Sequence, residues 1–132
     1  KVDIMQDPEL LERLVGKYRL YLVSNGTAMV QDCRLRDSGI GTYFQGIFIS
    51  ERVGVDKPQK EFFDRSFATI PDFDPSQAVI IGDSLTSDMR GGINAGITTC
   101  WYNPRNKPRR ADIPVDFEID NLMELPQLLE AL

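Results

Sequence analysis

The sequence predicts an α/β fold, a three-layer Rossmann-like sandwich around a parallel sheet, and three observations carry that expectation. Short apolar runs rich in β-branched residues recur along the 132 residues. Between them lie segments of helical period, roughly 10 to 15 residues long, the length of the right-handed crossovers that join parallel strands. The runs end in Ser-Asn-Gly or Gly-Asp, so polar side chains arrive at the carboxyl edge of the sheet, where open α/β folds bind their ligands.

Taken in order, Asp7-Pro8 reads as an N-cap followed by a first-turn proline, and Leu10, Leu11, Leu14 and Val15 make one apolar face of a short helix. Leu20-Tyr21-Leu22-Val23 is the first strand, closing at Ser24-Asn25-Gly26. A second helix is expected from Thr27 to Asp37, stopping near Gly39. Ile47-Phe48-Ile49 is the second strand, after which Asp56-Lys57-Pro58 opens a helix with Phe62, Phe63 and Phe67 on one side. Ala78 to Gly82 is a third strand of the kind covered on both faces. The helix behind it ends at Asn94-Ala95-Gly96, with glycine as the C-cap. Thr98 to Tyr102 and Phe117 to Ile119 are the fourth and fifth strands, and a terminal helix carries Leu122, Leu125, Leu128, Leu129 and Leu132. No internal repeat or interdomain linker interrupts this alternation, so residues 1–132 are expected to form one core domain.

Composition narrows the chemistry. With 42% hydrophobic and 27% charged residues the chain can bury a core, and a formal net charge of −5 argues against general nucleic-acid binding. Arg105, Lys107, Arg109 and Arg110 form a basic run, but Pro104 and Pro108 interrupt it, which predicts a solvated loop. The chain has no histidine, so neither a Ser-His-Asp nor a Cys-His mechanism, nor a histidine-bound zinc, can be assembled from it alone. Cys33 and Cys100 stand in no metal or redox spacing and read as small buried residues of a reducing compartment. No apolar stretch approaches the ~20 residues of a membrane span and no signal peptide is recognisable, so a cytoplasmic protein without membrane partners is expected.

The polar residues at the strand ends supply the candidate site. A serine hydroxyl and the backbone N–H groups after it, opening onto a helix, form a cradle for phosphate oxygens, which singles out Ser24, Asn25 and Gly26. Lys57 adds a compact positive charge. Asp83, at the end of the third strand, and Asp88, in the first turn of the following helix, present hard oxygen ligands suited to Mg²⁺. Taken singly, the first element is also an ordinary turn and Lys57 an ordinary surface lysine.

In this order, Ser24-Asn25-Gly26-Thr27, Lys57-Pro58 and Gly82-Asp83-Ser84-Leu85-Thr86-Ser87-Asp88 resemble the second, third and fourth motifs of the haloacid dehalogenase-like superfamily, across nearly the whole chain. The resemblance implies that Ser24 binds the transferring phosphoryl group with the backbone of Asn25 and Gly26, that Lys57 balances charge, and that Asp83 and Asp88 hold Mg²⁺. The run from Ile49 to Pro58, and Gly91-Gly92-Ile93-Asn94-Ala95-Gly96 through Cys100-Trp101-Tyr102-Asn103, look like the pyrimidine 5′-nucleotidase branch. The implied activity is Mg²⁺-dependent hydrolysis of small phosphomonoesters, nucleoside 5′-monophosphates among them, through an aspartyl-phosphate. A non-catalytic phosphate- or metal-binding domain and a dehalogenase of small acids are the alternatives.

The chain departs from the family pattern at the first motif, the strand ending in Asp-x-Asp that supplies the nucleophile and the acid for the leaving group. Residues 1–23 do not contain it. Asp72-Phe73-Asp74 has the bare spacing, but Pro71 and Pro75 flank it and it reads as a polar turn. The helical cap of the family is missing too. The expectation is therefore a carboxyl-terminal part of the core, lacking its first strand and cap. Its partners would be a small phosphorylated substrate and an amino-terminal segment, or another chain, that supplies the central strand.

Overall fold

The computed structural model describes residues 8–25, 27, 29, 30, 33, 36 and 41–132. The chain forms parallel sheets with helices in the Rossmann manner, in two compact units, one of residues 3–56 and one that carries residues 57–132. Asp7, Gly26, Gly39 and the carboxyl end of the expected second helix lie outside the described residues; Thr27, its expected start, is not helical, whereas positions 29, 30, 33 and 36 are.

In the first unit, α1 spans Pro8–Val15 and is followed by β1, Tyr21–Ser24, and β2, Gly46–Ile49. Leu10, Leu11 and Leu14 recur at helical spacing and are all buried. Leu11 packs with Leu20, Leu22, Tyr43, Phe44 and Ile47, which joins α1 to both strands. Val15, expected on the same face, is exposed, because position 15 rotates away from the stripe set by 10, 11 and 14. β1 and β2 pair in parallel with Tyr21 opposite Gly46 and Ser24 opposite Ile49. Tyr21 stacks on Phe48 at 6.0 Å, and the Tyr43 hydroxyl donates to Glu12 Oε1 at 2.9 Å. That carboxylate pushes the Tyr43 pKa above the usual phenol value. A single turn, α2, Ser50–Val53, follows β2 directly, where the sequence predicted no helix.

The second unit contains α3, Lys60–Phe67; β3, Val79–Gly82; α4, Arg90–Ala95; β4, Thr98–Tyr102; β5, Phe117–Ile119; and α5, Leu125–Glu130. Lys57-Pro58 was expected to open α3, but the helix begins at Lys60 with Gln59 as its N-cap, and Lys57 lies in the preceding loop with a cis bond to Pro58. The strands run β3-β4-β5, all parallel, with Gly82 opposite Trp101 and Cys100 opposite Phe117. Among the described residues the strands thus pair as two and as three parallel partners.

Phe62, Phe63, Ile80, Met89, Cys100, Trp101, Ile113, Ile119 and Leu125 are buried here. Full burial of an aromatic or aliphatic side chain is worth about 1.5–3 kcal/mol, so these positions dominate the unit's stability. Phe67 stacks on Phe73 with ring centres 4.0 Å apart. Phe73 belongs to the Asp72-Phe73-Asp74 turn, whose acids are exposed; Asp74 caps the next turn by accepting from the Ser76 N–H at 3.0 Å, as a polar turn does. Gly96 ends α4 at φ 74°, a left-handed conformation that glycine adopts without strain, as predicted.

β5 is anchored through a side chain rather than by apolar pattern alone. Asp116 Oδ2 accepts from the Thr99 N–H at 2.9 Å, and the Asp116 N–H donates to Thr99 Oγ1 at 3.0 Å. The basic run is an exposed loop, as expected, with Arg109 paired to Glu118 at 2.6 Å and Arg110 to Asp112 at 2.7 Å. Both cysteines are free; Cys100 is buried, but Cys33 is only half-buried. Burial pushes the Cys100 thiol up to about 11. Among the described residues no helix is long and apolar enough to cross a membrane.

Candidate active site

The site is built where β3 ends. Val79-Ile80-Ile81 places Gly82 at the carboxyl end of the strand, and the backbone continues through Asp83 into Ser84, whose Oγ accepts from the Ser87 N–H at 3.1 Å. That cap starts a turn of π-helix over Leu85–Met89 rather than the α-turn expected around Asp88. The Asp88 and Met89 N–H groups both reach the Ser84 carbonyl, each at 3.0 Å. The wider turn adds a residue before α4 and turns Asp88 inward, where it is 4% exposed.

Gly82 makes this possible. A Cβ at position 82 would lie 2.3 Å from Asp88 Oδ2, so the carboxylate rests against a backbone that must have no side chain. The Ser84 N–H points at the same Oδ2 at 3.4 Å. Lys57 Nζ donates to Asp88 Oδ1 at 2.5 Å, and both side chains are 6% exposed. Removing either charge from water costs several kcal/mol, and only the close pairing with its hydrogen bonds offsets that cost. Asn94, on α4, donates to the Pro58 carbonyl at 3.0 Å and so ties the loop that carries Lys57 to the helix that follows Asp88.

Asp83 is half-buried, with a buried Oδ1, and its main-chain carbonyl accepts from the Trp101 indole N–H at 3.0 Å. The structure thus joins Lys57 to Asp88 and keeps Asp83 on the same strand end. Ser24 closes β1 in the other unit; it is 2% exposed and donates to the Asn25 carbonyl at 3.3 Å. Asn25 is exposed, and Gly26 lies outside the described residues.

The carboxylates of Asp83 and Asp88 are hard oxygen donors near a strand end, with no thiol or imidazole beside them, and that donor chemistry fits Mg²⁺. Among the described residues no group of three or more His, Cys, Asp or Glu is placed to hold a metal ion, so these two alone would not complete its coordination. Reading the sequence did not anticipate Trp101 or Asn94 as supports of the site. Both bond main-chain carbonyls through side chains, and such partners leave no periodic signal.

Comparison with known proteins follows from this geometry. The sequence profile of the haloacid dehalogenase-like hydrolases matches residues 5–102. The chain is similar to a HAD-hydrolase of Bacillus subtilis, YfnB, at 46% identity over 92% of this chain and 52% of that protein. The crystal structure of that hydrolase bound to magnesium superposes with a TM-score of 0.90 at 45% identity, covering 92% of this chain and 53% of its own. A pyrimidine 5′-nucleotidase of Escherichia coli, YjjG, is 38% identical over 91% of this chain and 53% of its length. A 2-haloacid dehalogenase of Pseudomonas syringae pv. Tomato is 34% identical with a TM-score of 0.83, covering 99% of this chain and 54% of its own. The chain spans about half the length of the curated relatives it matches.

Proposed function

We propose, given that the chain belongs to the haloacid dehalogenase-like hydrolase family, that the protein carrying it is a Mg²⁺-dependent phosphatase of small phosphomonoesters, with nucleoside 5′-monophosphates as the preferred class. The observation that carries this reading is the buried Lys57–Asp88 pair next to Asp83 at the end of β3. Asp83 and Asp88 are the proposed Mg²⁺ ligands; the ion, when bound, supplies charge that favours transfer of an anionic phosphoryl group. Lys57 holds Asp88 in place through their ion pair, and adds positive charge where negative charge develops on the phosphoryl oxygens. Ser24, with the backbone of Asn25 and Gly26, is assigned to binding that phosphoryl group.

The nucleophile is assigned to an aspartate outside these 132 residues, on a strand supplied by an amino-terminal segment or another chain, and the intermediate to an aspartyl-phosphate. Support for that assignment is chemical: Asp72 and Asp74, which have the spacing, are exposed turn residues. We extend the reading to a cytoplasmic enzyme, in keeping with two free cysteines. The nucleotide preference rests on likeness to the nucleotidases of E. coli and Streptococcus pneumoniae, at 38% and 37% identity.

Dehalogenation of a small acid is the second reading, and similarity to the P. syringae dehalogenase favours it. The test is a parallel assay of the intact protein for phosphate release from p-nitrophenyl phosphate and nucleoside 5′-monophosphates, and for chloride release from 2-chloropropionate, with Mg²⁺ and with EDTA. Mg²⁺-dependent phosphate release without chloride release supports the phosphatase. Chloride release insensitive to EDTA overturns it in favour of the second reading, and neither product supports a non-catalytic domain.

A further inference from the structure

We propose that Trp101 is a positioning residue for the metal ligands, acting through the peptide that joins Asp83 to Ser84. This rests on the reading of Asp83 and Asp88 as Mg²⁺ ligands. The carbonyl oxygen of that peptide accepts from Trp101 Nε1 at 3.0 Å, and its N–H points at Asp88 Oδ2 at 3.4 Å. A peptide unit is planar and rigid, so a hydrogen bond at its oxygen fixes the direction of its N–H. Trp101 thereby orients one oxygen of Asp88 from a distance, while Lys57 holds the other at 2.5 Å.

The placement of Trp101 suits this task. It stands on β4 directly opposite Gly82, so its indole reaches one residue beyond the ladder to the Asp83 carbonyl. At 1% exposure it is packed on all sides, and a buried indole N–H is costly to leave unsatisfied. It is the single tryptophan among the 132 residues. Strand pairing of Gly82 with Trp101 requires no particular side chain, so the ladder alone does not account for an indole donor here.

The test separates the hydrogen bond from packing. β-(3-Benzothienyl)alanine, placed at position 101 by codon suppression in the intact protein, keeps the shape of the indole but replaces N–H by sulfur. Trp101→Phe is the second variant, with a smaller ring and no donor. Mg²⁺ affinity is read by calorimetry for these, the wild type and Asp83→Asn, below each protein's melting temperature. The expected result is a rise in Kd of about 10- to 100-fold in both Trp101 variants, the range found for partners that orient metal ligands. A Kd within about twofold of the wild type in the benzothienyl protein, with Asp83→Asn strongly weakened, overturns the role of Trp101 and leaves the metal site standing. No Mg²⁺ binding by the wild type, or binding unaffected by Asp83→Asn, overturns both.

Discussion

Lys57 and Asp88 lie 31 positions apart, and the sequence placed the lysine before a helix and the acid after a strand without saying which acid the lysine would take. Lys57 lies against Asp88 because the π-turn and Gly82 bring that carboxylate inward. Lys57→Ala leaves a carboxylate in a dry environment without its counter-ion, and is expected to destabilise the fold by about 3–5 kcal/mol, measured by urea unfolding. Lys57→Met with Asp88→Leu removes both charges and is expected to recover much of that loss, although not activity. A second residue-scale prediction concerns Glu118, whose carboxyl is held below the usual range by the Asn103 amide and then by Arg109. A depressed carboxylate contributes stability that is complete above its unfolded pKa and disappears as pH falls through the folded one. The difference in urea midpoint between wild type and Glu118→Gln should therefore be present at neutral pH and vanish in the acid range below the ordinary glutamate pKa. A difference that persists unchanged in acid contradicts the role of this ionised group.

Among the elements, β4 and β5 were legible to the residue, because Thr98-Thr99-Cys100-Trp101-Tyr102 and Phe117-Glu118-Ile119 are compact apolar runs bounded by breakers. Three features were not. α2 is one turn closed by Gly54, too short for a periodic signal. The π-turn at Leu85–Met89 depends on one carbonyl serving two N–H groups, which no residue pattern announces. The start of α3 was set three residues early, because Pro58 is as compatible with the loop before a helix as with its first turn. The β3-to-α4 connection gives the element-scale prediction. Gly82→Ala places a methyl group against Asp88 Oδ2, at a distance no side chain tolerates, so the carboxylate must move off Lys57. Overpacking of this kind costs about 1–3 kcal/mol, and Mg²⁺ binding should weaken together with stability, as read by calorimetry and thermal melting. A Gly82→Ala protein with wild-type Mg²⁺ affinity would show that the close approach does not hold Asp88 in place. At the other end of the unit, Asn121 and Glu124 form a reciprocal cap before α5, and Asn121→Ala is expected to cost about 1 kcal/mol.

For the whole molecule, membership of the haloacid dehalogenase-like hydrolases was legible from motif order, with Ser24 and Asp83 at strand ends, Lys57 in the loop before α3 and Asp88 in the turn after β3. Parallel pairing followed from the strand–helix alternation. The division of the described strands into a pair and a trio is not in the alternation itself, and only the resemblance, with its missing central strand, offered a reason to expect it. The same limit applies to cysteine exposure. Cys100 lies in the centre of its sheet with its thiol held neutral by burial, whereas Cys33 is half-buried. A thiol reagent at neutral pH should therefore modify Cys33 and leave Cys100 intact until the protein unfolds, which peptide mass spectrometry can read directly. The central claim is that Lys57, Asp83 and Asp88 form the working end of a phosphatase. Its most direct test is kcat for phosphate release by the intact protein at saturating Mg²⁺, wild type against Lys57→Ala assayed at a temperature where both remain folded. Loss of a positioned charge that stabilises the transition state predicts a kcat lower by ~10²-fold or more, whereas a change smaller than about threefold would contradict the account.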